Sequence, residues 1–493
     1  MHSAAGGLRP ANVMGQEIEQ THFTRADFTD YADCLRRETG LLDSWFREAL
    51  FSPRDRMGGF ELEAWLIDAD AHPAPVNAAF LERLDDPMVV PELARFNVEL
   101  NDYPQHLWGS ALSRFEASLG ATWKKCARVA AELDARLLMI GILPTLRQEE
   151  LTQANMSDQR RYRALNEQVL RLREGRPLEL DIQGRERLKT VHGDVMLESA
   201  TTSFQLHLKV HQRHAVRAYN AAQVLSAPMV AMSANSPFLF GHDLWDETRI
   251  PLFEQSVAVG GIAGASHGPL RRVTFGSGYA RSTLYECFLE NQQHYPVLLP
   301  MRFNEGVERM AHLRLHNGTI WRWNRPLIGF DYDGIPHLRI EHRVAPGGPT
   351  ITDVIANAAF FFGLMQALMS ADTPIEARIS FSQARDNFYA AARQGLNAPV
   401  TWCDEQRGPL RVLLLDELLP LARRGLASLE IDASDSEHYL GIIEARARRS
   451  ATGTDWQRAW VDRHGADMAA LTEAYSRRQQ EGRPVHEWDV EDS

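Results

Sequence analysis

The sequence predicts an α+β protein: an antiparallel sheet with helices against one face, followed by a helical C-terminal part. Two observations carry that prediction. Four separate stretches, beginning near Gly59, Phe96, Phe204 and Leu338, alternate apolar and polar residues with a period of two, as half-buried strands do. From Ile375 onward the apolar spacing is helical almost throughout. No internal repeat and no low-complexity block interrupts this pattern.

In chain order, residues 1–30 are expected to be a mobile segment, polar at its start and without the apolar core of a signal peptide. Tyr31 to Leu50 carries a helical stripe of Leu35, Leu42, Trp45 and Phe46. The first strand, Gly59-Phe60-Glu61-Leu62-Glu63-Ala64, puts Phe60, Leu62 and Ala64 on one face. Glu61 and Glu63 stand on the other, about 7 Å apart. Carboxylates that close raise each other's pKa unless a cation or hydrogen-bond donors intervene. The second strand, Phe96 to Asn101, shows Asn97, Glu99 and Asn101 on its polar side. Ser110 to Arg136 reads as a long helix leading into an apolar strand, Leu137 to Leu143. The arginine-rich helix from Asp158 to Arg173 lacks a broad apolar face, which suits a cover better than a core element.

The third strand, Phe204 to Val210, offers Gln205 and His207. Helical spacing resumes from His214 to Met232, where Pro228 is expected to kink or end the helix. Ser233 to Gly241 is turn-rich, and Gly260 to Gly278 reads as a glycine-rich loop. Leu313 to His316 and Ile320 to Trp323, joined by Asn317-Gly318, predict a hairpin. The fourth strand, Leu338 to Val344, offers Arg339, Glu341 and Arg343. Thr350, with Asp353 three residues on, caps a helix to about Ala371. The acidic end, 481–493, is expected to be disordered.

Composition narrows the function. A net charge of -12 argues against nucleic acid, which needs a basic face. Cys34, Cys126, Cys287 and Cys403 lie far apart with no Cys-x-x-Cys pair, which points to a reducing cytoplasm and not to a disulfide or zinc framework. The longest apolar run, Val354 to Met369, is interrupted by Asn357, Gly363 and Gln366, so no membrane span is expected. If the four strands share one sheet, their polar sets share its open face. Carboxylates are the usual company of magnesium and nucleotide phosphates, and the imidazole of His207 suits manganese as well. Arginines beside them fit phosphate or carboxylate oxygens in a two-pronged way. The constellation reads as metal-assisted phosphoryl transfer. No phosphate-binding Gly-x-x-x-x-Gly-Lys loop is present.

Gly59-Phe60-Glu61-Leu62-Glu63, Gln205-Leu206-His207, Ala234-Asn235-Ser236-Pro237-Phe238 and Arg339-Ile340-Glu341-His342-Arg343 resemble, in order and spacing, the signature segments of the glutamate–cysteine ligase family. The bacterial carboxylate–amine ligases are the branch they resemble most. The resemblance implies a glutamine-synthetase-like fold, a strongly bent antiparallel sheet with helices on its convex face. Its catalytic part would span 31–372, with a helical part at 373–480. It also implies an ATP-dependent ligase that phosphorylates a substrate carboxylate, classed with glutathione biosynthesis, in which an amine displaces the phosphate. Glutamate and cysteine are the default pair of small-molecule substrates; a homo-oligomer is left open.

By the same resemblance, Glu61, Glu63, Glu92, Glu99, His207 and Glu341 match metal ligands for Mg2+ or Mn2+. Glu341 and Arg343 match catalytic positions, Arg343 beside the transferred phosphate. Arg272 and Tyr279 match the substrate grip; Arg249 and Gln205 are expected beside them, and Arg322, Arg339 and Arg343 are expected to contact the nucleotide. Arg325, beside Trp323, is either a nucleotide contact or a stacking residue. Two other readings stay open: a guanidino phosphotransferase on the same fold, and a non-catalytic nucleotide-binding relative.

Overall fold

The computed structural model describes residues 22–259 and 271–491. The first half of the chain folds as α1 (Arg25–Glu48), β1 (Met57–Ile67), α2 (Asn77–Leu84), β2 (Val89–Pro91), β3 (Asn97–Asn101), β4 (Gln105–His106), α3 (Ala111–Ala131), β5 (Arg136–Leu138), α4 (Arg160–Leu172), β6 (Leu178–Gln183), β7 (Arg187–His192) and β8 (Ser203–Val210). It continues with α5 (Ala215–Ser233), a short ladder of β9 (Phe238–Leu239) and β10 (His242–Asp243), α6 (Arg249–Ser256), α7 (Tyr285–His294), α8 (Ala311–Gly318), β11 (Asn324–Phe330), β12 (Pro336–Pro346), α9 (Ile351–Ser370) and α10 (Phe381–Gln394). Helices dominate the rest.

All four alternating stretches lie in one antiparallel sheet of order β11-β12-β8-β1-β3-β2, with β4 and β5 also pairing to β1. It curls as a half-barrel, so the predicted fold class and the bend implied by the resemblance are both present. The alternation decides which face is which. Phe60, Leu62, Phe204, Leu206, Leu338 and Ile340 are buried on the convex side, under α3, α5 and α9. Phe60 packs edge-on to Phe115 of α3 with ring centroids 5.3 Å apart, and His342 stacks on Phe361 of α9 at 4.6 Å. Such aromatic pairs add about 0.5–1.5 kcal/mol each beyond their buried area. Among the described residues α9 alone is long and apolar enough to cross a membrane, and it lies in the core. The C-terminal helices lie along α9, where a Cβ on Gly425 would fall 1.8 Å from the carbonyl oxygen of Gly363. Only glycine permits two helix backbones to meet that closely.

Several elements differ from expectation for identifiable reasons. Helix α1 starts at Arg25, inside the stretch expected to be mobile, because Thr24 and Asp27 form a capping box. Residues 1–21 of that stretch, and 260–270 of the glycine-rich loop, lie outside the described residues. Helix α5 runs through Pro228 to Ser233, held by burial on nearly every side. The hairpin expected around Asn317-Gly318 is instead the end of helix α8. Its first turn is held by Glu38 of α1, which accepts from Leu313 N at 2.7 Å and lies 2.6 Å from His312 Nδ1. A helix start secured from a distant element leaves no local signal. The acidic end is ordered through 491, because Trp488 packs between Trp456 and Tyr475. Thr350 and Asp353 form the expected capping box on α9.

Candidate active site

The concave face of the sheet floors a cavity of about 340 Å³, roofed by α4, the Val195–Ala200 turn, α7 and α8. Strand register brings the predicted acids together on that floor. Glu341 of β12 pairs with His207 of β8, and His207 with Gly59, two residues from Glu61 on β1. Glu63 of β1 faces Glu99 of β3, and Glu99 pairs with Val90, two residues before Glu92. Two groups result, Glu61–His207–Glu341 and Glu63–Glu92–Glu99, in each of which the candidate donor atoms lie within 4.8 Å of one another. They contain all six residues matched to metal ligands.

The donor sets fit divalent cations. His207 is 8 % exposed, and its Nε2 lies 3.1 Å from Glu61 Oε1 without the alignment of a hydrogen bond. Neither ring nitrogen has a hydrogen-bond partner among the described residues, and a buried orphan of this kind is costly unless something else engages it. In the second group, burial and the neighbouring carboxylates push Glu99 well above the usual range and raise Glu92. Burial, with Glu92 beside it, pushes Glu63 up to about 7 even though Ser203 N (2.7 Å), Ser203 Oγ (2.9 Å) and Gln205 Nε2 (3.0 Å) all donate to it. Three desolvated carboxylates call for a positive charge among them.

Arginines occupy the other side. Arg325 grips the fully buried Glu341 with two hydrogen bonds, Nε to Oε2 at 2.7 Å and Nη2 to Oε1 at 3.0 Å. Arg343 Nη1 donates to the same Oε2 at 3.3 Å and to Gln205 Oε1. Glu341 is desolvated, but Arg325, Arg343 and His207 outweigh that and hold it well below the usual carboxylate range. Its shift is thus opposite in direction to those of Glu63 and Glu99. Arg339, Arg343 and Gln205 line the cavity, as does Arg314 of α8.

Four expected binding residues do not reach it. Arg272 is buried and donates to the backbone carbonyls of Thr319 (2.9 Å) and Pro296. The Tyr279 hydroxyl donates to Ile379 O at 3.1 Å. Arg249, at the start of α6, does not line the cavity: it pairs with Glu247 (3.3 Å) and donates to the carbonyls of Arg343 (3.2 Å) and Val344 (2.5 Å). Those carbonyls sit where the β12–β8 register shifts, so Arg249 braces the bulge that aims Arg343. Arg322 is held by Asn291 at 2.9 Å and Glu290 at 3.1 Å. In all four, the guanidinium or hydroxyl is committed to structural partners.

The cavity also holds residues the sequence did not single out. Arg161 and Tyr162 of α4 stand over the Glu63 group, which gives that helix the covering place expected of it. Glu198 lies on a 3-10 turn whose spacing carries no strand or helix signature. Burial, with Glu92 and Glu63 nearby, pushes it up to about 8.

Comparison with known proteins agrees with this geometry. Residues 57–482 match the family model described as glutamate-cysteine ligase family 2 (GCS2). No curated protein sequence shows significant similarity. The fold is similar to that of a glutamate–cysteine ligase from Francisella tularensis solved in complex with AMP, at 12% identity and a TM-score of 0.54, covering 90% of this chain and 91% of that one. It is also similar to a bifunctional glutathione synthetase from Pasteurella multocida, at 11% identity and a TM-score of 0.52. That match covers 90% of this chain but only 55% of the longer protein. At such identities the likeness is one of fold.

Proposed function

We propose, from the premise that this chain belongs to glutamate-cysteine ligase family 2 and is a ligase, that it joins a carboxylate to an amine at the expense of ATP. The acid is glutamate and the default amine cysteine, giving a γ-glutamyl amide through an acyl phosphate. The observation that carries the reading is the pair of three-donor groups facing arginines across one cavity. Magnesium or manganese held by Glu61, His207 and Glu341 and by Glu63, Glu92 and Glu99 would neutralise phosphate charge and align donor with acceptor.

The chain's own residues supply the rest. Arg339 and Arg343 face the cavity as fixed cations for phosphoryl oxygens, and Arg343 is placed to stabilise the charge of the transfer. Glu341 does two jobs: it offers an ionised donor and, through Arg325 and Arg343, holds the guanidinium groups in position. Gln205 links the two sides by donating to Glu63 and accepting from Arg343. The apolar roof of Tyr162, Leu165, Phe288, Leu299 and Leu315 keeps water from the acyl phosphate. The same reading places the protein in a reducing cytoplasm, where its cysteines stay free.

A guanidino phosphotransferase needs a reactive cysteine at the site. Burial pushes Cys126 up to about 12 and Cys287 up to about 11, and no cysteine lines the cavity. A screen of acid–amine pairs scored by phosphate release tests the ligase reading. ADP and free phosphate are expected only when acid, amine and a divalent cation are all present. ADP without free phosphate, or binding without turnover, contradicts it.

A further inference from the structure

One signature segment, Ala234-Asn235-Ser236-Pro237-Phe238, lines no part of the cavity. Its polar groups converge instead on one carboxylate. Glu247 is fully buried; its Oε2 accepts from Asn235 N at 2.9 Å and its Oε1 from Ser236 Oγ at 2.7 Å. The same Ser236 Oγ accepts from Arg249 N at 3.2 Å, so serine, glutamate and arginine are tied together. Arg249, itself buried, pairs with Glu247 and spends its Nη2 on the carbonyls of Arg343 and Val344.

Those two residues are the bulge itself. His342 pairs with Leu206 and Ala345 with Phe204, so Arg343 and Val344 together oppose Gln205. A bulge leaves its extra residue outside the ladder, and its backbone must be fixed from elsewhere. On one side Arg343 N donates to Trp323 O at 2.9 Å. On the other stands Arg249, its guanidinium 5.5 Å from the centre of the Trp323 ring. Further along the strand, Asn235 Nδ2 donates to Gly347 O at 2.8 Å. The C-terminal helices hold that asparagine in turn: Gln457 Nε2 donates to its Oδ1 at 2.9 Å, and the Tyr475 hydroxyl accepts from its Nδ2 at 2.8 Å.

Resting on the ligase reading, in which Arg343 stabilises the phosphoryl group in transfer, we infer that Glu247 and Arg249 form a positioning pair for that guanidinium. Glu247 fixes the Arg249 head, Arg249 fixes the bulge, and the bulge fixes where the Arg343 side chain enters the cavity. Neither member of the pair touches the reactants. Its loss therefore slows the chemical step and leaves substrate binding in place. The Asn235-Ser236 segment, and through it the C-terminal helices, thus reach the reacting group without lining its cavity.

Arg249→Lys keeps a cation beside Glu247 but lacks the rigid fork that spans two carbonyls. In full-length protein with ATP, Mg2+ and an acid–amine pair used by the wild type, it is expected to lower kcat for phosphate release about 10–100-fold, as a small misplacement of a catalytic group does. KM for ATP and for the acid should stay within about twofold. The double variant Glu247→Gln/Arg249→Met removes the pair without leaving a buried charge unpaired, and should behave alike. An Arg343→Ala background separates positioning from general damage. There, adding Arg249→Lys should cost no more than about twofold, because the group it acts through is gone. Equal fold losses with and without Arg343, a raised KM at unchanged kcat, or no loss in either variant would overturn the assignment. Wild-type protein that releases no phosphate with any acid–amine pair would count against the ligase reading itself, a separate result.

Discussion

At the scale of single residues, Glu61 and Glu341 belong to one donor group but differ in what else depends on them. Glu61 adjoins His207 and, on its own strand, Glu63, so Glu61→Gln removes a metal donor and eases a like-charge contact. It is expected to weaken divalent-cation binding by at least about 10–100-fold, the range seen even for residues behind the ligands. Turnover should fall with it while the melting temperature holds. Glu341→Gln is expected to behave differently. It leaves Arg325 buried without its counter-charge, which costs about 3–5 kcal/mol. A lower melting temperature in Glu341→Gln but not in Glu61→Gln checks both statements. The raised acids give a pH signature. Glu63 keeps its proton up to about 7 in the folded chain, while its ordinary value is 4.5. Between those values the folded state binds more protons than the unfolded one, so stability falls as pH rises. A divalent cation opposes that loss, contributing about 2.7 kcal/mol at a hundred times its Kd. Thermal stabilisation by Mg2+ or Mn2+ should therefore be larger at pH 8 than at pH 5, as melting curves would show.

At the scale of elements, the four strands were legible because their period of two survives on a sheet with one apolar and one polar face. Glu61, Glu99, His207 and Glu341 could be placed on a common floor for that reason. What could not be read was anything set by a partner far along the chain. Helix α8 takes its N-terminal anchor from Glu38, and Arg325 is the clamp on Glu341 only through the register of β11 with β12. Arg272 and Arg249 are of the right type for a substrate grip and Arg322 for a nucleotide contact, but their neighbours are carbonyls and structural carboxylates that spacing does not reveal. Glu198 sits on a turn too short to show any period. The crossing of α9 with the Leu419–Ser428 helix makes its own prediction. Gly425→Ala would press a methyl group onto the Gly363 carbonyl and should destabilise the fold by about 1–3 kcal/mol, measured by denaturant unfolding. An unchanged midpoint would mean that the two helices are not held in that contact.

At the scale of the whole molecule, the sheet and the helical C-terminal part meet on α9, whose two sides serve the two halves. Arg446, on the Ala433–Arg449 helix, reaches Asp353 at 2.8 Å and Asn357 at 2.7 Å, both on α9. The floor that carries the acids thus rests on a layer braced from behind, which holds the donors at fixed spacing. The central claim is that this floor lets ATP activate a substrate carboxylate before the amine attacks. Glutamate labelled with heavy oxygen in its γ-carboxylate tests it directly, with the released phosphate analysed by mass spectrometry. An acyl-phosphate route predicts that one labelled oxygen passes from the acid to each phosphate released. Unlabelled phosphate accompanying amide formation would contradict the account.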